Sequence, residues 1–160
     1  MNKAYLLTGS NLGERAINLA QALESVTQHC GEPEKVSALY ETAPWGNNKQ
    51  PAFLNQAIII RTSLTARQLL RRILKIEQAL GRVRAEKYGP RLIDIDILLY
   101  GSEVHNYDFL KLPHPEMQNR RFALLPLAAI APDLVHPVLK KTVSQLLDEC
   151  EDPLPVKKYK

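Results

Sequence analysis

The stretch that most constrains how this chain can fold is Ile93-Asp94-Ile95-Asp96-Ile97-Leu98-Leu99-Tyr100, which follows directly on Gly81-Arg82-Val83-Arg84-Ala85-Glu86-Lys87-Tyr88-Gly89-Pro90-Arg91. By composition it is a β-strand, and successive side chains of a strand point to opposite faces. Asp94 and Asp96 therefore share one face, while Ile93, Ile95, Ile97 and Leu99 share the other. The isoleucine face needs a core. The aspartate face needs water or a cation, because a buried carboxylate without a partner is costly. A solvated face of an antiparallel sheet would be enough to account for the pair. The three arginines just upstream, Arg82, Arg84 and Arg91, point further. Carboxylates able to hold a metal, with guanidinium groups beside them, are what the handling of a polyphosphate requires.

The rest of the chain supplies elements for that strand to join. Residues 4–8 are a short apolar run ended by Gly9-Ser10-Asn11, a first strand. Leu12, Ala16, Leu19, Ala20, Leu23 and Val26 then fall at helical spacing, with Asn11 and Glu14 as a capping pair and Gly31 as the stop. Residues 36–40 read as a second strand and residues 53–61 as a third. Thr65-x-x-Gln68 opens a second helix with an apolar face of Leu69, Leu70, Ile73, Ile76 and Leu80, and Gly81 closes it. The order is βαββαβ, a ferredoxin-like α+β core: an antiparallel sheet with both helices on one face. The aspartates would look out from the other face, where Phe53 and Asn55 of the third strand share a parity. Beyond Tyr100 come a short hairpin in 101–113, a helix or two short pieces around Pro126 in 120–131, a helix in 143–150, and a loose tail in 152–160. A single domain over 1–160 is expected.

The 160 residues are enough for a real core, and 45% hydrophobic with 24% charged residues is ordinary for a globular protein. A net charge of +4 suits an anionic ligand as well as a nucleic acid. The two cysteines, Cys30 and Cys150, form no motif and read as reduced thiols. No apolar run approaches a membrane span and the first residues do not form a signal peptide. A cytoplasmic protein, monomeric and without a membrane partner, is expected.

Several further residues could carry chemistry. The Gly9-Ser10-Asn11-Leu12-Gly13 turn could cradle an anion at a helix N-terminus, but a tight strand-to-helix turn explains it better. Trp45, the only tryptophan, sits in Ala43-Pro44-Trp45-Gly46-Asn47-Asn48-Lys49-Gln50-Pro51. It is either a packed ring or a lid that stacks on a flat ligand. Phe53 and Phe122 could sandwich a heterocycle whose edge Asn55 reads, because an amide donates and accepts at once. Pro113-His114-Pro115 and Asn119-Arg120-Arg121-Phe122 concentrate a histidine and two arginines near a loop end. The histidines show no zinc spacing, and there is no G-x-S-x-G elbow.

Lys87-x-Gly89-Pro90-Arg91-x-x-Asp94-Ile95-Asp96-Ile97-Leu98 resembles the signature of the 6-hydroxymethyl-7,8-dihydropterin pyrophosphokinases of folate synthesis. Gly9-Ser10-Asn11-Leu12-Gly13, Tyr40-x-Thr42-x-Pro44-x-Gly46, Gln50-Pro51-x-Phe53-Leu54-Asn55, Gly81-Arg82-Val83-Arg84, Leu112-Pro113-His114-Pro115 and Asn119-Arg120-x-Phe122 fall in that family's order, over about the first 137 residues. The resemblance implies the ferredoxin-like fold and transfer of pyrophosphate from ATP to the pterin's hydroxymethyl oxygen, with release of AMP. It implies two Mg2+ ions on Asp94 and Asp96, and Arg82 and Arg91 acting during transfer. Arg84, His114 and Arg120 would bind ATP, with Glu77 and Tyr88 near the nucleotide. Thr42, Ala43, Trp45, Phe53, Asn55 and Phe122 would form the pterin site.

Two other classes are weighed against this. A polymerase-β-type nucleotidyltransferase also uses Gly-Ser and Asp-x-Asp, but its two motifs lie about one helix apart, whereas most of the domain separates Ser10 from Asp94. A ferredoxin-like RNA-binding module places aromatics on its open sheet face for base stacking. Aspartates there would repel phosphate, so no nucleic-acid partner is expected.

Overall fold

The computed structural model describes residues 1–43, 51–81 and 92–159. In chain order these form β1 (Asn2–Ser10), α1 (Arg15–His29), β2 (Glu32–Val36), β3 (Tyr40–Thr42), β4 (Phe53–Thr62), α2 (Ala66–Ala79), β5 (Asp94–Tyr100), a hairpin of β6 (His105–Tyr107) and β7 (Leu110–Leu112), a 3-10 turn (Met117–Asn119), α3 (Arg121–Ile130), α4 (Val143–Glu149) and β8 (Val156–Lys158). The main sheet runs β5-β1-β4-β3-β8, with β2 also on β4, and its pairings are antiparallel. Setting β1 between the third and last strands of a βαββαβ chain is the ferredoxin-like arrangement.

One face of the sheet buries Leu6, Leu54, Ile58, Ile60, Ile93, Ile95 and Ile97 against Leu19, Ala22 and Val26 of α1 and Leu69, Ile73 and Ile76 of α2. The capping box expected for α2 is present: Thr65 Oγ1 accepts from the Gln68 amide at 3.2 Å, and Gln68 Oε1 from the Thr65 amide at 2.9 Å. Gly81 ends that helix with φ +90, a conformation that strains any L side chain. The face left open in the four-strand reading is partly covered by the C-terminal elements. Tyr5, Leu7, Ala57, Ile59, Leu98 and Leu99 pack there against Leu124 and Leu127 of α3 and Val143 and Leu146 of α4. The isoleucines and aspartates of β5 thus divide between the faces as expected, but Leu99 does not follow the isoleucines. A bulge between Tyr5 and Leu6 pairs Leu6 with Ile97 and Tyr5 with Leu99, so Leu98 is an extra residue and the parity inverts beyond it.

Four other expectations change. The strand expected over 36–40 is instead the link between two strands, β2 ending at Val36 and β3 beginning at Tyr40, and within it the Ser37 hydroxyl accepts the Ala57 amide at 2.9 Å. Asn11 does not cap α1, which begins at Arg15 with no side-chain cap; its amide donates to Pro51 O at 3.2 Å. Pro126 does not divide α3 into two pieces: the helix runs Arg121–Ile130 with Pro126 inside it, just past the first turn, where the Phe122 carbonyl loses its helical donor. The tail is not loose, since β8 pairs with β3 at the sheet edge.

Candidate active site

The register of the sheet sets the site. Gly9 of β1 pairs with Asn55 of β4 on one side and with Asp94 of β5 on the other, and Tyr40 of β3 continues the row beyond Asn55. The next row toward the core side holds Ala57, Leu7 and Asp96. Two strand spacings put Asn55 and Asp94 about 10 Å apart on the same face, with a glycine between them. That glycine is required. A Cβ at Gly9 would lie 2.6 Å from Asn55 Nδ2, so the Asn55 amide occupies the space a side chain would fill.

Asn55 is 5% exposed, and its Nδ2 donates to Thr8 O at 3.1 Å. Since a carbonyl can only accept, this bond fixes the amide's orientation. Oδ1 is buried and finds no hydrogen-bond partner among the described residues. A buried amide oxygen without a donor in the chain calls for one from outside it, a ligand or a water. Phe53 lies two residues along β4 on the same parity, half-buried, and pairs with Thr42 at the end of β3. Thr42 is buried, and its hydroxyl donates to Pro155 O at 3.0 Å. Ala43 follows it, half-buried. Phe122 reaches this face from α3 and packs against its apolar cluster. Arg120, two residues earlier at the N-cap of α3, carries its guanidinium carbon 5.7 Å from the Phe122 ring centroid. Thr42, Phe53, Asn55, Phe122 and Arg120 are thereby brought to the Asp94–Asp96 side of the sheet. Trp45, Arg82, Arg84, Tyr88 and Arg91 lie outside the described residues.

His114 is held where β7 leads into the 3-10 turn, its amide donating to Leu98 O at 2.8 Å. Its imidazole pKa is pushed down to about 4, first by burial and next by the Arg120 charge, against the opposing pull of Glu116 and Asp94. The ring is neutral at pH 7. Nδ1 accepts the Glu116 amide at 3.2 Å, so Nε2 carries the proton and is a donor.

Glu77 is 3% exposed. Its carboxylate accepts the Ile95 amide at 2.8 Å, so α2 grips the main chain of β5 between the two aspartates, on the edge that pairs with no other strand of the sheet among the described residues. Glu77→Ala should lower the unfolding free energy by about 1–3 kcal/mol, the cost of a buried donor losing its acceptor, while Glu77→Gln keeps an acceptor and loses less. Urea denaturation measures both, and an alanine variant as stable as the parent would show the contact to be idle.

Among the described residues there is no cluster of three or more His, Cys, Asp or Glu side chains suited to a metal, so a cage built of protein ligands alone does not form there. Two partly exposed carboxylates on one face suit Mg2+, which takes one or two carboxylates and completes its shell with water and substrate phosphates. The residues fit that ion. No helix of the described residues is long and apolar enough to cross a membrane.

Sequence reasoning missed the work of three residues. Gly9 and Asn11 were visible as a turn motif, but their partners, Asn55 and Pro51, lie far along the chain. Asp152, buried at the start of the tail, carried no local signal.

A ferredoxin-like α+β sheet with a carboxylate pair and a buried, unpaired amide oxygen on one face suits an enzyme of the phosphate-group-transfer class. The model of the 7,8-dihydro-6-hydroxymethylpterin-pyrophosphokinase family matches residues 5–132, and the chain belongs to that family. A 2-amino-4-hydroxy-6-hydroxymethyldihydropteridine pyrophosphokinase of Aquifex aeolicus is 41% identical over 149 residues, covering 93% of this chain and 92% of the relative. The one from Methylorubrum extorquens is 48% identical over 136 residues, covering 84% and 86%. A solved wild-type HPPK-DHPS chain of Plasmodium falciparum superposes with a TM-score of 0.74 at 18% identity, which speaks for the fold. It covers 92% of this chain, which spans 44% of that longer one.

Proposed function

We propose that this chain transfers the pyrophosphoryl group of ATP to the hydroxymethyl oxygen of 6-hydroxymethyl-7,8-dihydropterin, releasing AMP, in tetrahydrofolate synthesis. The observation that carries the reading is the Asn55–Gly9–Asp94 row, which sets an unsatisfied amide oxygen about two strand spacings from a carboxylate on one open face. A flat, hydrogen-bonding heterocycle spans that separation with its edge on Asn55 and its substituent toward Asp94.

In this reading Thr42, Ala43, Trp45, Phe53, Asn55 and Phe122 bind the pterin. Asn55 Oδ1 accepts from the ring's donor edge, while Phe53 and Phe122 offer it their faces. Asp94 and Asp96 hold two Mg2+ ions, which when bound neutralise the triphosphate and lower the pKa of the hydroxymethyl group. Arg84, Tyr88, His114 and Arg120 bind ATP, His114 as a neutral donor through Nε2–H, which needs no charge to meet a nucleotide oxygen. Glu77 serves the nucleotide side by holding β5 in place. Arg82 and Arg91 close on the phosphates during transfer. The hydroxymethyl oxygen forms a bond to the β-phosphorus, the bond from that phosphorus to the bridging oxygen breaks, and AMP leaves with that oxygen while the hydroxyl proton passes to solvent. Catalysis is then alignment and charge neutralisation, and no side chain is required as a general base.

The test is an assay with ATP, magnesium and the reduced hydroxymethyl pterin. AMP and pterin diphosphate should appear in equal amounts. ADP as product, or turnover without pterin, would overturn the assignment.

A further inference from the structure

We infer that the C-terminal segment 150–159 is a positioning clamp that sets the separation of Thr42 and Phe122 across the pterin site, an inference that rests on the pterin reading above. The segment joins two elements that do not follow one another in sequence. At one end it fixes the start of α3. Asp152 is 5% exposed; its Oδ2 accepts the Arg121 amide at 3.1 Å and its Oδ1 the Leu154 amide at 3.0 Å. Its main-chain oxygen accepts from the Arg121 guanidinium, whose other nitrogen donates to Cys150 O at 2.9 Å. The first amide of a helix has no partner within the helix, and a carboxylate there is also favoured by the helix dipole. Asp152 thus holds α3 by its N-terminal turn, the turn that carries Phe122.

At the other end the segment fixes β3. The Tyr159 amide donates to Leu39 O at 2.9 Å, and β8 pairs Lys157 with Glu41 and Val156 with Thr42. Hydrogen-bonded pairs alternate along an antiparallel ladder, so with Leu39 and Tyr159 bonded, Glu41 and Lys157 are the next bonded pair. Thr42 Oγ1 gives its hydrogen to Pro155 O, which leaves the hydroxyl only acceptor capacity toward a ligand. Arg15 of α1 braces the far side, donating to Glu41 Oε2 and Ala52 O, both at 2.8 Å, and lying 5.5 Å from the Tyr159 ring centroid. Asp152 and Pro155 are only three residues apart, so the span between the two anchor points is short and stiffened by Pro153 and Pro155.

The test uses Lys157→Pro, which deletes one ladder amide at an exposed edge position, and Asp152→Ala. In the unliganded variants, amide hydrogen exchange in residues 40–43 should rise by about tenfold or more for Lys157→Pro, and in 121–124 for Asp152→Ala. Binding of the reduced hydroxymethyl pterin should weaken by about tenfold, as for loss of a residue that orients a ligand-contacting group. In Lys157→Pro, affinity for a non-hydrolysable ATP analogue should stay within about twofold. Unchanged exchange, unchanged pterin affinity in a folded variant, or equal losses for both ligands in Lys157→Pro would overturn the clamp. If Asp152→Ala fails to fold, Lys157→Pro decides. Absence of pterin binding by the parent chain would show the functional reading to be wrong, and the exchange measurement would still decide the clamp.

Discussion

Asp94→Ala and Asp96→Ala should each reduce AMP release by about a thousandfold or more while the protein keeps its circular dichroism and melts cooperatively. Both side chains are partly exposed and stand on the face opposite α1 and α2, so truncating either leaves the main core intact. Asp→Asn at either position keeps the shape and removes the charge, and should be nearly as inactive if charge is what these groups provide. Residual turnover above about a tenth of the parent's, at saturating magnesium, is too large for the loss of a metal ligand and would remove the carboxylate pair from the mechanism.

Gly9→Ala should weaken pterin binding by about a hundredfold with nucleotide binding retained. The added methyl would stand 2.6 Å from Asn55 Nδ2, well inside contact distance, and the amide can escape only by giving up its bond to Thr8 O. Moving it also moves Oδ1, the acceptor offered to the heterocycle. Asn55→Ala should show a similar loss, and the double variant little more than either single change, since both act through one amide. Calorimetric titration with the pterin reads all three. Parent-like affinity in Gly9→Ala would mean that Asn55 is not the group that reads the ring.

The sequence discloses what is local and periodic. The βαββαβ order, the Thr65–Gln68 capping box, the stop at Gly81 and the outward aspartates of β5 follow from spacing within a few residues, and each stands in the structure. What escaped depends on partners distant in sequence. Asn11 looks like a helix cap until Pro51 is seen to take its amide. Glu77 is placed near the nucleotide by resemblance alone, and its bond to the Ile95 amide appears only when the bare edge of β5 is set beside α2. Val156-Lys157-Lys158 is too short and too charged to read as a strand, and becomes one only because β3 offers it an edge. Of the site, the members of the sheet and of α3 were legible as residue types; that Gly9 lies between Asn55 and Asp94 is a fact of register, which no single strand contains.

The bulge at Leu98 bears on how the chain finds its native pairing. Before it, alternation must turn Asp94 and Asp96 away from α2; after it, Tyr100 must enter the core beside α2, where its hydroxyl bonds Leu64 O and takes a hydrogen bond from Asn2 at 2.8 Å. An unbulged β5 could satisfy one demand only. A slide of β5 by one residue against β1 would press two charges into a hydrocarbon layer, at a cost no isoleucine could offset. The two aspartates to which the proposed reaction assigns the metal thus also count against misaligned sheets, and neutralising them should widen the set of pairings the nascent strand can try.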